Sequence, residues 1–134
     1  MEYMFMPLRR YADFSGRSRR KEYWMFALFL TIVYVVLYTF MLGGMLSTST
    51  SGQVGAGFGV SMILLLLFAF AMFVPALAVQ ARRFHDQDKS GWMVLLNLIP
   101  LGSLVVLVFM CMEGTRGPNR YGPDPKGDTS RVFA

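Results

Sequence analysis

Charge is what this 134-residue chain has least of: Asp, Glu, Lys and Arg make up 16 % of it, against about 25 % in a soluble domain. So few charges cannot cover a water-facing surface. Cysteine is nearly absent as well. Cys111 stands alone inside an apolar run, which excludes an internal disulfide and a cysteine-based metal site and leaves a small packing residue. The motifs HExxH and GxSxG, the P-loop and the dinucleotide fingerprint are all missing. A cleavable signal peptide is not expected either, because Pro7, four arginines before position 20, and Glu2, Asp13 and Glu22 interrupt the first 22 residues.

What is present is oil. Apolar residues make up 54 %, mean hydropathy is +0.45, and Phe (12) and Met (11) are abundant. They collect in three runs without Asp, Glu, Lys, Arg or His, which argues against a proton relay, charged ion pathway or voltage sensor within one protomer. The first, 23–46, holds 24 residues, about 36 Å of helix, enough to cross a hydrocarbon core of about 30 Å. Ser18 is placed to cap it and Glu22 to complement its dipole, while Tyr23 and Trp24 suit the headgroup level. Residues 47–57 are small and uncharged, a flexible link between antiparallel helices. The second run, 58–81, predicts another span, kinked by Pro75.

The third run, 92–112, is broken in the middle by Asn97, Pro100, Gly102 and Ser103. It reads either as a span kinked at Pro100 or as a re-entrant hairpin turning at Pro100-Leu101-Gly102. Each half of a hairpin would be too short to cross alone, and its tip would need cover from protein. With only two other helices available as cover, we expect the kinked span. The fold class predicted is therefore an all-α membrane protein of three transmembrane helices with a cytoplasmic polar cap.

Lys and Arg set the orientation. Residues 1–22 carry six, the 47–57 link none, and the 82–91 link three. The N-terminus and the 82–91 link are thus expected inside. The 113–134 tail carries four, and its side depends on whether the third run spans or returns.

Three polar segments are patterned. Phe14-Ser15-Gly16-Arg17-Ser18-Arg19-Arg20-Lys21-Glu22-Tyr23-Trp24 precedes the first run. Arg82-Arg83-Phe84-His85-Asp86 with Ser90-Gly91-Trp92 follows the second. Gly114-Thr115-Arg116-Gly117-Pro118-Asn119-Arg120-Tyr121-Gly122-Pro123-Asp124-Pro125 follows the third. In this order, over roughly residues 10–126, they resemble domain-of-unknown-function family 805, the YhaH-like bacterial inner-membrane proteins. The resemblance implies a bacterial plasma-membrane location and a compact helical domain, and it implies no activity. Two departures are visible: Met93 stands where a second Trp is common, and Pro100 and Gly102 are separated by one residue rather than two.

The second segment continues its helix beyond the membrane face. Arg82, His85 and Asp86 share one side, so Arg82 can pair with Asp86. Read functionally, His85 and Asp86 are weak acid/base candidates, and Arg17, Arg20, Arg82 and Arg83 are candidates for holding a lipid phosphate. The plainer reading is a positive-inside clamp fixing a tight Ser90-Gly91 turn. In the first segment, Arg17 and Glu22 either serve topology and lipid adhesion or pair with Asp86 and Arg83 to build one cap. Gly16 fits a chain reversal with positive φ. Residues 1–15 suit a short interfacial amphipathic segment, limited by Pro7.

The third segment is turn chemistry, either a solvated tail or a strap over the cap through Asn119, Arg120, Tyr121 and Asp124. Residues 126–134 are expected to be disordered. No cofactor or metal is expected. The net charge of +5 hugs the membrane faces, so anionic lipid explains it better than nucleic acid. The leading expectation is a non-enzymatic inner-membrane component binding anionic lipid or a protein partner through its cap. The alternatives are an enzyme on a phosphate-bearing headgroup and a small transporter or channel formed by a homo-oligomer.

Overall fold

Hydroxyl-rich and basic residues at the ends of the apolar runs extend the helices past the runs themselves. A computed structural model describes residues 2–125. It is all-α: α1 (Glu2–Arg9), α2 (Arg20–Ser51), α3 (Ala56–Asp86), a 3-10 helix (Gly91–Leu98) and α4 (Gly102–Cys111). The Ser/Thr stretch expected to be loop is the last turn and a half of α2. Ser47, Thr48, Thr50 and Ser51 each donate a hydroxyl to the carbonyl four residues back, which lets polar side chains stay helical. The link between α2 and α3 shrinks to residues 52–55. Pro75 lies buried within α3 without ending it, and α1 likewise accommodates Pro7.

α2 and α3 are long and apolar enough to cross a membrane, and only 6 % and 17 % of their most apolar stretches are buried within the protein. A core helix of a soluble domain would be covered; these surfaces are bare within the chain.

The described residues divide into two compact units, residues 27–73 and residues 2–26 with 74–125. In the first, Gly44 lets the two helices meet. A Cβ there would lie 2.6 Å from the Phe58 nitrogen, whereas one at Gly43 would meet nothing. Thr48 accepts from the Gly55 amide at 3.2 Å, and the Phe68 ring packs edge-on to Phe29 and Tyr34.

In the second unit the third apolar run departs from expectation. The kinked span does not form. The 3-10 helix ends at Ile99, Leu101 takes a left-handed φ of +65°, and α4 starts at Gly102. A Cβ on Gly102 would overlap the Leu96 carbonyl, so glycine allows the chain to fold back this tightly. At about 15 Å each, neither piece spans a hydrocarbon core. Both ends of the run meet the end of α3: Gln87 donates to the Phe109 carbonyl, and the Phe84 and Phe109 rings pack edge-to-face at 5.9 Å. Asn97 ties the 3-10 helix to Gln80 of α3 at 2.8 Å. Phe84, Val106 and Met110 form the buried core, with Tyr23, Met93, Val94, Leu96 and Phe109 against it.

Candidate functional site: the polar cap

α3 carries Arg82, Arg83, His85 and Asp86 one turn beyond its apolar stretch, and the N-terminal segment, α4 and the tail close over them. Asp86 is the hub. Its Oδ1 accepts from Arg17 Nε at 3.0 Å and lies 2.9 Å from Arg17 Nη2, while its Oδ2 accepts from Arg83 Nη1 at 2.7 Å. The Arg17, Arg83 and Asp86 side chains are 1 %, 0 % and 4 % exposed. Gly114 packs directly on this carboxylate, where a Cβ would overlap Oδ2. The expected pairing of Arg82 with Asp86 is therefore replaced. Arg82 turns to Glu22 at 3.2 Å and also donates to Ser18 Oγ at 2.9 Å and to the Asp13 carbonyl at 2.9 Å. Glu22 thus partners Arg82 rather than Arg83. Ser18, expected as a helix cap, instead serves as the acceptor for Arg82.

Carbonyl oxygens complete the cluster. Arg17 Nη1 donates to Gly117 at 2.7 Å and Nη2 to Thr115, while Arg83 Nη2 donates to Met112 at 2.7 Å. Three buried guanidinium groups thus face two buried carboxylates, and the remaining positive charge is solvated by peptide dipoles. Burial pulls Arg82 and Arg83 below the ordinary arginine range, opposed by Glu22 and Asp86 respectively. Burial likewise pushes the Glu22 carboxyl up, against the pull of Arg82.

The tail is a strap through Pro125. Asn119 donates to the His85 carbonyl at 2.9 Å, Arg120 pairs with Asp88 at 3.1 Å, and Tyr121 stacks on the His85 ring at 4.0 Å. Asp124 accepts from the Gly117 amide, and Arg19 donates to the Pro125 carbonyl. Residues 114–125 therefore lie on the same side as residues 16–19 and 85–88. The expectation for 126–134 falls outside the described residues.

His85 Nδ1 lies 2.9 Å from the Gly16 carbonyl. Gly16 has the positive φ expected of it, +81°. A carbonyl can only accept, so Nδ1 carries the proton and Nε2 is left as an acceptor. Burial holds the imidazole pKa below 6.5, opposed by its bond to Gly16. Ser90 is extended and caps the 3-10 helix, accepting from the Trp92 amide, and Gly91 is that helix's first residue; the turn after α3 is made at Gln87-Asp88, where Asp88 takes φ +57°, rather than at Ser90-Gly91. Trp92 and Trp24 project outward, Trp24 edge-on to Tyr23.

Of the four arginines expected to hold phosphate, Arg17, Arg82 and Arg83 are enclosed with protein acceptors. Arg20 is at the surface, pairing with Glu113 at 3.0 Å. Pro100 lies in the hairpin turn, far along the chain from the cap. The sequence reading named Gly114 in the third segment without giving it a role, although a glycine two residues past the apolar run was a signal for close packing; for Gln87 it offered no role and had no signal. Among the described residues, no three of His, Cys, Asp and Glu gather as metal ligands.

Two lipid-ready helices, a returning hairpin and an arginine-carboxylate cap define a helical membrane protein. The chain belongs to the family described as Protein of unknown function (DUF805), which matches residues 11–123. It is 45 % identical over 130 residues to inner membrane protein YhaH of Escherichia coli (strain K12), covering 94 % of this chain and 98 % of that one. It is 43 % identical over 127 residues to inner membrane protein YhaI of the same strain, covering 94 % and 97 %. No solved structure matches.

Asp86→Asn removes the charge between two buried guanidinium groups and is expected to cost about 3–5 kcal/mol. Asp13→Asn, breaking a half-exposed pair with Arg10, should cost about 1 kcal/mol or less. Thermal unfolding of both variants in one detergent tests the contrast.

His85 supplies a pH dependence. Its folded pKa lies below 6.5, so the unfolded chain binds the proton more readily. That stabilisation is complete above pH 6.5 and is lost as pH falls through the window below it. The melting temperature of the wild type should decline over that range, and His85→Gln should flatten this part of the profile.

Proposed function

We propose that the chain is a multi-pass inner-membrane protein with its N-terminus in the cytoplasm. α2 and α3 cross the bilayer, residues 91–111 form a re-entrant hairpin, and the cap and strap lie on the cytoplasmic face. It acts as a non-enzymatic component whose cytoplasmic rim binds anionic lipid. The observation that carries this reading is how the cap divides its charges. The carboxylate an acid/base pair would need, Asp86, is committed inward between two arginines, and His85 spends Nδ1 on the Gly16 carbonyl, which leaves it Nε2 alone. Arg9, Lys21, Arg116 and Arg120 remain exposed around it, with Arg19 and Lys21 over the Tyr3 ring at 5.9 and 4.9 Å. Cations around a closed cap suit headgroup phosphates, each contributing roughly 1 kcal/mol near an anionic surface. The basic segments at 1–22 and 82–91 favour the cytoplasmic side, and relatives named inner membrane proteins support the membrane location.

Single cysteines in a Cys111→Ala background test the topology. Cysteine at Ser49 should react with an impermeant maleimide added to intact spheroplasts. Cysteines at Ser15 and Thr115 should react only after permeabilisation. Labelling of Thr115 together with Ser49 from outside would overturn the arrangement.

Lys21→Gln and Arg116→Gln should each lower the enrichment of phosphatidylglycerol over phosphatidylcholine around the protein by about fivefold at low salt, the equivalent of ~1 kcal/mol. Unchanged enrichment in the double variant would remove the lipid-binding role.

A further inference from the structure

Beside the cap, and separate from its ion pairs, a half-open cleft of about 630 Å³ lies between the end of α3, the 3-10 helix and the strap. This is within the usual range for sites that take small molecules. Phe14, Leu77, Trp92 and Leu95 make apolar walls, and His85 and Tyr121 close the polar end. Two features make that end more than a gap in packing. First, Nδ1 is taken by Gly16, so the ring offers Nε2 as a bare acceptor. Among the described residues it has no bonded partner. Nε2 stands 2.9 Å from where a Cβ of residue 91 would be, so glycine at that position keeps the nitrogen uncovered. Second, Tyr121 carries a cation: the Arg120 guanidinium lies 4.9 Å from the Tyr121 ring centre while pairing with exposed Asp88. Apolar wall and neutral acceptor thus line the cleft, and the cation stands outside its lining, beside Tyr121.

The occupant follows from what surrounds the cleft. Its wall continues into the outer face of the hairpin, where Trp92, Leu98 and Leu101 are 78 %, 81 % and 74 % exposed. Large apolar side chains left so bare on a membrane protein are covered by lipid tails. A tail entering from that face meets apolar side chains first and His85 last.

We propose that this cleft binds one intact phospholipid, with an acyl chain along Leu77, Trp92 and Leu95, the phosphate at Arg120, and a headgroup hydroxyl or ammonium donating to His85 Nε2. The site rests on the membrane reading above for access by the lipid, and it differs from the diffuse rim in being a single stoichiometric position.

The full chain, reconstituted in vesicles of phosphatidylethanolamine and phosphatidylglycerol and released into mild detergent, should retain one phospholipid per protomer in native mass spectrometry. Filling the cleft with Leu77→Phe and Leu95→Phe should lower occupancy about tenfold, and His85→Phe, which keeps a ring for Tyr121 but removes the acceptor, should lower it severalfold. A second measurement needs no change to the cleft. With Trp24→Phe, Trp92 is the only indole left, and trace phospholipid brominated along its chains should quench it at mole fractions too low for random encounter.

Retention of a free fatty acid or detergent instead, full occupancy in the filled variant, or quenching that tracks bulk mole fraction would each overturn the site. Any of these alongside the expected cysteine labelling leaves the topology standing. Failure of the labelling itself removes the membrane reading first.

Discussion

The fold turns on one carboxylate shared by two arginines. Asp86 sits at the end of α3, where its backbone carbonyl already accepts from the Thr115 amide at 2.6 Å while its side chain gathers Arg17 and Arg83. An isolated carboxylate or guanidinium in such a place would be costly to desolvate. Here each charge is answered by another or by carbonyl oxygens. That mutual dependence brings four stretches of chain to one point: the N-terminal segment through Arg17, α3 through Arg83, α4 through the carbonyls of Met110 and Met112, and the strap through Thr115 and Gly117. Apolar packing around Phe84 and Met110 is too small a core to fix four such segments alone.

Much of this was legible from residue order. Uncharged runs of 24 residues announce spans because nothing else in a small protein needs them. The positive φ at Gly16 and the continuation of α3 through Asp86 both follow from local chemistry. The errors share a cause as well. Helical spacing offered Arg82 to Asp86 because i,i+4 neighbours are what a sequence displays. The actual partners are Arg83 three residues away and Arg17 sixty-nine residues away, a distance no local pattern encodes. The end of α2 was misplaced because hydroxyl back-bonding makes a polar stretch helical without apolar periodicity.

The third run shows a sharper limit. A kinked span and a hairpin need the same composition, since both immerse about twenty apolar residues. The choice is made by one close contact, Gly102 against the Leu96 carbonyl, and by the bonds that draw Phe109 and Met112 back to Gln87 and Arg83.

The separation between Arg17 and its acceptors has a bearing on biosynthesis. Its bonds to the carbonyls of Gly117 and Gly122 join residues 100 and 105 positions apart. During translation the guanidinium must therefore wait until both long helices and the hairpin have been made. Closure is a late event, available only to a chain that has emerged through residue 122. A prematurely terminated polypeptide keeps its helices yet leaves Arg17 and Asp86 open to water, a difference that a membrane protease could read.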